Sequence, residues 1–261
     1  MFYMPGSTPH NLPHDPFKAC VLPRPIGWLS TLSPAGHANL APYSQFNNLT
    51  FDPPYVMFSA NQTAAATQKD TVRNVEATRV FCWNLATYAL REAVNATAAE
   101  LPHGADEFAH AGLAREPSRT VFVMVKTAAA GGYEEEQRVP VPMVQASPVR
   151  FECEYYTTLR LPGRAPVGSA DVVIGRVVGV HIKEEVLTDG KIDVRKTLPI
   201  ARCGYFEYAV VREVFEMVVP GGEGARAAME GSGKAIQEMG ERVGDEEEGG
   251  EGDVVAGAEV V

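Results

Sequence analysis

The chain has 261 residues, is 45% hydrophobic and 21% charged, and carries a formal net charge of −10. That hydrophobic share excludes wholesale disorder, and no apolar stretch approaches the roughly 20 residues a membrane-spanning helix needs. Residues 221–261 hold eleven acidic and three basic residues, which leaves only −2 for residues 1–220 and no clustered Lys and Arg of the kind that binds nucleic acid.

Taken in chain order, the start Met1-Phe-Tyr-Met-Pro-Gly6 lacks the basic and apolar regions of a secretory signal, so a cytoplasmic protein is expected, with no membrane partner. Pro25–Leu32 and His37–Tyr43 read as a hairpin turning through Ser33-Pro-Ala-Gly36. Tyr55–Ala60 is a further strand after Asp52-Pro-Pro54, and Asp70 or Thr67 can cap a short helix through Ala77 with Val72 and Val75 turned inward. Val80–Leu85 reads as a strand, Tyr88–Ala99 as a helix with Thr87 at its N-cap, and Asp106–Leu113 as a third helix with Gly112 near its end. Val149–Leu161 alternates cleanly with period two, and a strand from Asp171 to about Leu187 contains Gly175 and Gly179, which permit bulges. Phe206–Met217 reads as a last strand. Strands with short helices between them predict a mainly β fold, a barrel decorated with helices. Residues 221–261 hold 11 of the 24 glycines and the run Asp245-Glu-Glu-Glu248. They read as a disordered acidic tail with a weak helix around 225–239.

Several chemistries are unsupported. Gly231-Ser-Gly-Lys234 has Ala228 and Ala235 where a P-loop needs Gly and Ser or Thr. His10 and His14 flank Pro13, and the other histidines are scattered, so no zinc set is expected. There is no Gly-x-Ser-x-Gly elbow. Cys20, Cys82, Cys153 and Cys203 lie far apart and read as reduced thiols, mostly buried. Three Asn-x-Thr patterns, at Asn48, Asn61 and Asn95, are coincidences of composition in a chain without a secretion signal.

A dense polar set remains between residues 24 and 74. Ser30 and Thr31 are followed by Asn39-Leu-Ala-Pro-Tyr-Ser-Gln-Phe-Asn-Asn48, then Ser59-Ala-Asn61 and Lys69-Asp-Thr-Val-Arg-Asn74. Lys69 with Thr71 at a helix start suits a phosphate, and Asn, Gln and Ser side chains offer donors and acceptors to a heteroatom-edged ring. The same residues also serve as ordinary loop and cap chemistry, and the pattern alone leaves both readings open.

Pro23-Arg-Pro-Ile-Gly-Trp-Leu-Ser-Thr31, Asn39-Leu-Ala-Pro-Tyr-Ser-Gln-Phe-Asn47, Asp52-Pro-Pro-Tyr-Val-Met-Phe-Ser59 and Lys69-Asp-Thr71 closely resemble the flavin reductase-like, FMN-binding split-barrel family that includes flavoredoxin. The likeness continues through Asn84-Leu85, Glu92-Ala-Val-Asn-Ala-Thr97, Asp106-Glu-Phe108, Ser147-Pro-Val-Arg-Phe-Glu-Cys-Glu154, Val173-Ile-Gly-Arg176 and Pro199-Ile-Ala-Arg202, essentially residues 1–220. The resemblance implies a six-stranded split β-barrel, a homodimer and FMN held without a covalent bond near the dimer interface. It assigns Ser30, Thr31 and the stretch Ser44, Gln45, Phe46 and Asn47 to the flavin ring and ribityl chain, and Ser59, Asn61, Lys69, Asp70 and Thr71 to the ribityl and phosphate end. Trp28 is read as a barrel-core residue. Residues 119–139 look like an insertion relative to the family, read together with the tail as solvated loop.

The implied activity is that of an FMN-dependent oxidoreductase with NADH or NADPH as co-substrate. Its acceptor would be free flavin, oxygen, a metal complex or a partner oxygenase. Because a cofactor carries such chemistry, no catalytic acid, base or nucleophile of the chain is expected. The alternative is an FMN-binding electron carrier without nicotinamide activity of its own. A non-redox ligand-binding barrel is a third reading, since fold alone does not fix the reaction.

Overall fold

A computed structural model describes residues 1–128, 134–165, 167–217 and 220. Contacts divide the chain into Met1–Glu213 and Val214–Val261, and every named element among the described residues lies in the first unit. The expected tail helix and the Gly231–Lys234 fragment fall outside the described residues.

Helix α1 (Phe17–Cys20) and the short strand β1 (Arg24–Pro25) lead into a hairpin of β2 (Gly27–Leu32) and β3 (Ala38–Tyr43). A second hairpin, β4 (Phe46–Phe51) and β5 (Pro54–Asn61), precedes helix α2 (Asp70–Thr78) and strand β6 (Val80–Asn84). Helices α3 (Arg91–Ala96) and α4 (Glu107–His110) come before the long hairpin β7 (Arg115–Ala128) and β8 (Glu134–Val144). Strands β9 (Val149–Leu161) and β10 (Ala170–Ile182) follow. The unit closes with β11 (Leu187–Thr188), β12 (Lys191–Ile192), α5 (Val194–Thr197), β13 (Ile200–Arg202) and β14 (Tyr208–Val210).

The main sheet is antiparallel in the order β3-β2-β6-β9-β10-β5-β4, seven strands where six are expected. It curls until Tyr43, at the end of edge strand β3, packs on Phe58 of β5, with ring centroids 5.3 Å apart. The result is a split β-barrel with short helices, as the strand pattern and the resemblance predict. Inside it, Leu29, Phe58, Phe81, Cys153 and Val173 pack with Val72 and Val75 of α2. On the outer face, Trp28, Leu40 and Cys82 pack against Val121, Val123 and Met143 of the long hairpin and Phe108 of α4. Strand β2 is therefore buried on both faces, and all six of its residues are inaccessible. Trp28 is fully buried, but between the outer face of the sheet and the long hairpin rather than inside the barrel as expected.

The glycines of β10 act as predicted. Register shifts occur at Ile174/Gly175 and Val177/Gly179, and a Cβ on Gly175 would lie 2.4 Å from the Phe81 ring. Val72 and Val75 face inward and α4 is capped by Asp106, which accepts from the Ala109 N–H at 3.2 Å.

Other expectations are corrected. Of residues 119–139, the described ones (119–128 and 134–139) are not a solvated loop: they supply most of the β7–β8 hairpin, because Val121, Val123 and Val125 alternate and bury one face against the sheet. The helix expected over Tyr88–Ala99 is a 3-10 turn (Tyr88–Leu90) followed by α3, and Thr87 makes no side-chain cap. The strand expected over Phe206–Met217 shrinks to β14, since Phe206, Phe215 and Met217 are exposed and find no core. Strand β4 carries no strand signal in the sequence, because it is an edge strand whose residues after Phe46 all face solvent. In β9 the alternating face is buried only at its start; Leu159 and Leu161 run past the core. All four cysteines are free thiols, two of them buried, Cys203 half-buried and Cys20 exposed.

The hairpin is tied to the barrel through a buried carboxylate. Glu152 of β9 accepts the N–H groups of Arg119 (2.7 Å), Thr120 (2.6 Å) and Val121 (3.1 Å) and the Thr120 hydroxyl, and shares a 2.6 Å hydrogen bond with His181 Nε2. Beside it, Arg150 pairs with Glu116 of β7. Burial alone would raise the Glu152 pKa, but the hydrogen bonds from Thr120, Arg119 and His181 outweigh it and hold the group at about 2. An unfolded glutamate titrates near 4.5, so this contribution is complete above that pH and is lost as the pH falls toward 2. Glu152→Gln should cost about 2–3 kcal/mol in urea unfolding at neutral pH. The difference from the native chain should narrow steadily on acidification, and a difference that stays constant would show that the charge of Glu152 contributes nothing.

Candidate functional site

A cavity of about 370 Å³ opens between the end of β3, the start of α2 and the segment that follows α3. Its size is that of a small-molecule site. Each wall follows from local sequence. Helix α2 starts at Asp70 because an acidic residue in the first turn suits the helix dipole and Pro is absent up to Thr78; Lys69 occupies the N-cap and makes no side-chain cap. Thr63 and Thr67 close a tight turn before it, with their hydroxyls 2.7 Å apart and the Thr63 N–H donating to the Thr67 carbonyl at 2.8 Å.

The floor is held by buried hydrogen bonds. Asn39 donates to the Thr71 hydroxyl at 2.9 Å and Asn74 donates to the Thr31 hydroxyl at 3.0 Å, which pins α2 to β3 and β2. Trp28 donates to the Thr97 hydroxyl at 2.9 Å and anchors the far wall. Burial pushes the Tyr43 phenol up, the charges of Asp70 and Glu107 add to this, and a hydrogen bond with Thr71 opposes it. Tyr43 is thus a neutral hydroxyl group. Glu107 accepts the Leu40 N–H at 3.1 Å, and burial raises its pKa, with Asp70 and Asp106 adding to the shift.

Charged groups line the opening in pairs. Lys69 Nζ lies 3.1 Å from Glu100 Oε1. Asp70 Oδ2 lies 2.9 Å from His103 Nδ1, and Arg73 is 3.4 Å from Asp70 Oδ1. Arg73 also reaches His103 Nε2 at 3.2 Å, so both ring nitrogens of His103 are engaged. This arrangement suits binding of a polar, anionic ligand rather than proton transfer by a free imidazole.

Of the residues singled out from the sequence, Lys69, Asp70 and Thr71 meet on the cavity wall. Asn39, Tyr43 and Arg73 of the same polar runs line it as well, and the other residues assigned to the cofactor from the sequence do not. Thr31 stands behind α2, and the Ser30 hydroxyl is fully buried, accepting from Asn84 at 3.2 Å. Ser44, Gln45, Phe46 and Asn47 lead from β3 into β4; Phe46 stacks on Trp83 at 5.4 Å and Asn47 faces solvent. Ser59 donates its N–H to the Gln45 carbonyl at 2.9 Å, and Asn61 donates to the Val167 carbonyl at 2.9 Å. The sequence reading missed Tyr43, Glu100, His103 and Glu107. Tyr43 lies inside the polar run already noted; Glu100 and His103 join Lys69, Asp70 and Arg73 across about thirty residues, Glu107 bonds Leu40 of β3 across a still longer stretch, and these pairings carry no local signal.

Comparison with known proteins settles the family. The flavin reductase like domain matches residues 19–199. The chain belongs to the flavin reductase-like family. The uncharacterized protein YwrF of Bacillus subtilis is 33% identical over 202 residues, covering 77% of this chain and 89% of its own. Among solved structures, nitrilotriacetate monooxygenase component B from Bacillus cereus is similar with a TM-score of 0.70 and 27% identity, covering 83% of this chain and 98% of that one. Flavoredoxin of Desulfovibrio vulgaris, at 18% identity, shares the fold with a TM-score of 0.58, covering 76% and 91%. Membership in this family supports a flavin-related redox role for this flavin reductase-like protein. Among the described residues, no helix is long and apolar enough to cross a membrane.

Because Glu107 is held ionised only against burial and its acidic neighbours, Glu107→Gln keeps an acceptor for Leu40 while removing that charge. The variant should be slightly more stable than the native chain at pH 7.5, by about 0.5–1 kcal/mol. The raised pKa means the native carboxyl takes up its proton before an unfolded glutamate does, so the advantage should shrink on acidification and be lost once the pH falls below the 4.5 of an unfolded glutamate, in thermal unfolding.

Proposed function

We propose that this protein is an FMN-dependent oxidoreductase that takes electrons from NADH or NADPH and delivers them to free flavin, oxygen, a metal complex or a partner oxygenase. The observation that carries this reading is a cavity of about 370 Å³ with Lys69, Arg73 and the Thr63 and Thr67 hydroxyls on its walls, in a chain of this family. That donor set fits a ligand with an anionic phosphate and a polar chain.

Lys69 and Thr71, with the first-turn N–H groups of α2, hold the phosphate. Asp70 orients the opening through His103 and Arg73. Ser59 and Asn61 serve the polar chain, and Ser44, Gln45, Phe46 and Asn47, which continue directly from the cavity-lining Tyr43, serve the ring. Ser30 and Thr31 act from behind: their hydroxyls accept from Asn84 and Asn74 and so set the strand and helix against which the ligand rests. Tyr43 offers a neutral hydroxyl group, and its packing on Phe58 keeps that wall dry. When bound, FMN supplies the two-electron chemistry between nicotinamide and acceptor. Similarity to a monooxygenase component supports a partner oxygenase as acceptor. The exposed edge strand β4, with Leu49 and Phe51 in solvent, supports a homodimer.

Two measurements test the reading. Lys69→Ala should weaken FMN binding about tenfold by fluorescence quenching, the loss of one partly solvated charge-assisted contact; unchanged affinity would remove Lys69 from the site. Anaerobic addition of NADH, and separately NADPH, to the FMN-reconstituted protein should bleach the visible flavin band with at least one of them. A band that persists with both would replace the reductase by an electron carrier reduced by another protein.

A further inference from the structure

The two sides of the cavity are joined by one ion pair and by hydrogen bonds that a bound ligand must contend with. Lys69, on the α2 side, is held by Glu100, on the segment after α3, at 3.1 Å. Asp70, next to Lys69, is held by His103 of that same segment at 2.9 Å. Residues 97–101 and 103 line the cavity opposite Lys69 and Arg73, so the segment forms one wall, strapped to the other by these contacts. The two straps differ. Asp70 is further restrained by Arg73 and its side chain is about one-third exposed, whereas the Glu100 side chain is 75% exposed and, among the described residues, reaches inward only to Lys69.

Resting on the FMN reading above, we propose that Glu100 is an affinity-setting residue: its carboxylate occupies Lys69 in the ligand-free protein and must be displaced by the phosphoryl group of the incoming ligand. Lys69 Nζ has three donors in one small region, and a dianionic phosphoryl group drawn to it meets the Glu100 charge at close range. Like charges at that separation repel, and the Glu100 carboxylate, 75% exposed, can turn into water to relieve the repulsion. The carboxylate therefore leaves Lys69 when the phosphoryl group arrives, and the wall stays tied to α2 through His103, which contacts both Asp70 and Arg73. Such a residue lowers affinity for phosphate-bearing ligands and leaves a ligand without a phosphate unaffected.

The experiment compares FMN with riboflavin, which shares the ring and ribityl chain but lacks the phosphate. Dissociation constants are measured for the full chain, Glu100→Gln, Lys69→Ala and the double variant. Glu100→Gln should tighten FMN about two- to fivefold, leave riboflavin unchanged, and lose its effect when Lys69 is absent. An equal gain for riboflavin, an unchanged FMN affinity, or a gain that persists in the Lys69→Ala background would each overturn the proposal. If the native chain binds neither flavin, the FMN reading fails by itself. Inorganic phosphate followed by phosphorus NMR then decides on Glu100 alone: tighter binding in Glu100→Gln supports the displacement, and equal binding refutes it.

Discussion

Two buried hydrogen bonds, Asn74 to Thr31 and Asn39 to Thr71, fix where the helix α2 sits, and the cavity is a consequence of that placement. A polar group left unpaired in such an interior costs about 1–3 kcal/mol, so each pair forces its strand and its helix into one register. The helical repeat then divides α2 into two duties. Val72 and Val75, three residues apart, fill the barrel, while Lys69, Asp70 and Arg73 come out on the opposite side at the opening. Shifting the helix by one residue would put a valine into the cavity and a charge into the core.

The far wall depends on the same economy applied to the outer face of the sheet. Strand β2 can be buried on both sides only if something covers Trp28, and the β7–β8 hairpin does so with its alternating valines. Trp28 in turn donates to Thr97, where the cavity-lining segment begins. The hairpin is secured to β9 by Glu152, whose carboxylate satisfies three consecutive N–H groups that the hairpin's irregular start, between Pro117 and Phe122, leaves without strand partners. A carboxylate buried among donors is stable where an isolated one would not be. Structure some way from the cavity thereby sets the position of its wall.

Much of this was legible in the sequence because it is periodic or short-ranged. Val72 with Val75, the β2–β3 hairpin, the bulge glycines of β10 and the cap of α4 at Asp106 all rest on neighbours within a few residues. The segment Val121–Val125 had the right alternation, yet the adjoining run Ala128–Gly132 and the glutamates after it suggested loop, and only the uncovered face of β2 explains why it is a hairpin. For the candidate site, Lys69 and Thr71 were visible as a cation and a hydroxyl at a helix start. Glu100 and His103 were not, since their partners lie some thirty residues earlier and nothing local to either residue encodes the pairing. Edge strand β4 is illegible for a different reason: a strand with a solvent-facing side and polar Asn47 and Asn48 has no hydrophobic alternation.

The charges at the opening also explain how a cation-bearing cavity is tolerable without a ligand. Lys69 and Arg73 stand on one side of a partly desolvated space, and without counter-charges each would resist burial. Asp70 and Glu100 provide them. Only one of these carboxylates is anchored, however. Asp70 belongs to the first turn of α2, where the helix dipole favours it and where His103 and Arg73 both hold it, so removing it would disturb the helix and the wall together. Glu100 stands on a connecting segment with most of its side chain in water, and it can return to full solvation at little cost. The site thus combines a fixed counter-charge that shapes it with a dischargeable one that keeps Lys69 paired until a stronger anion arrives.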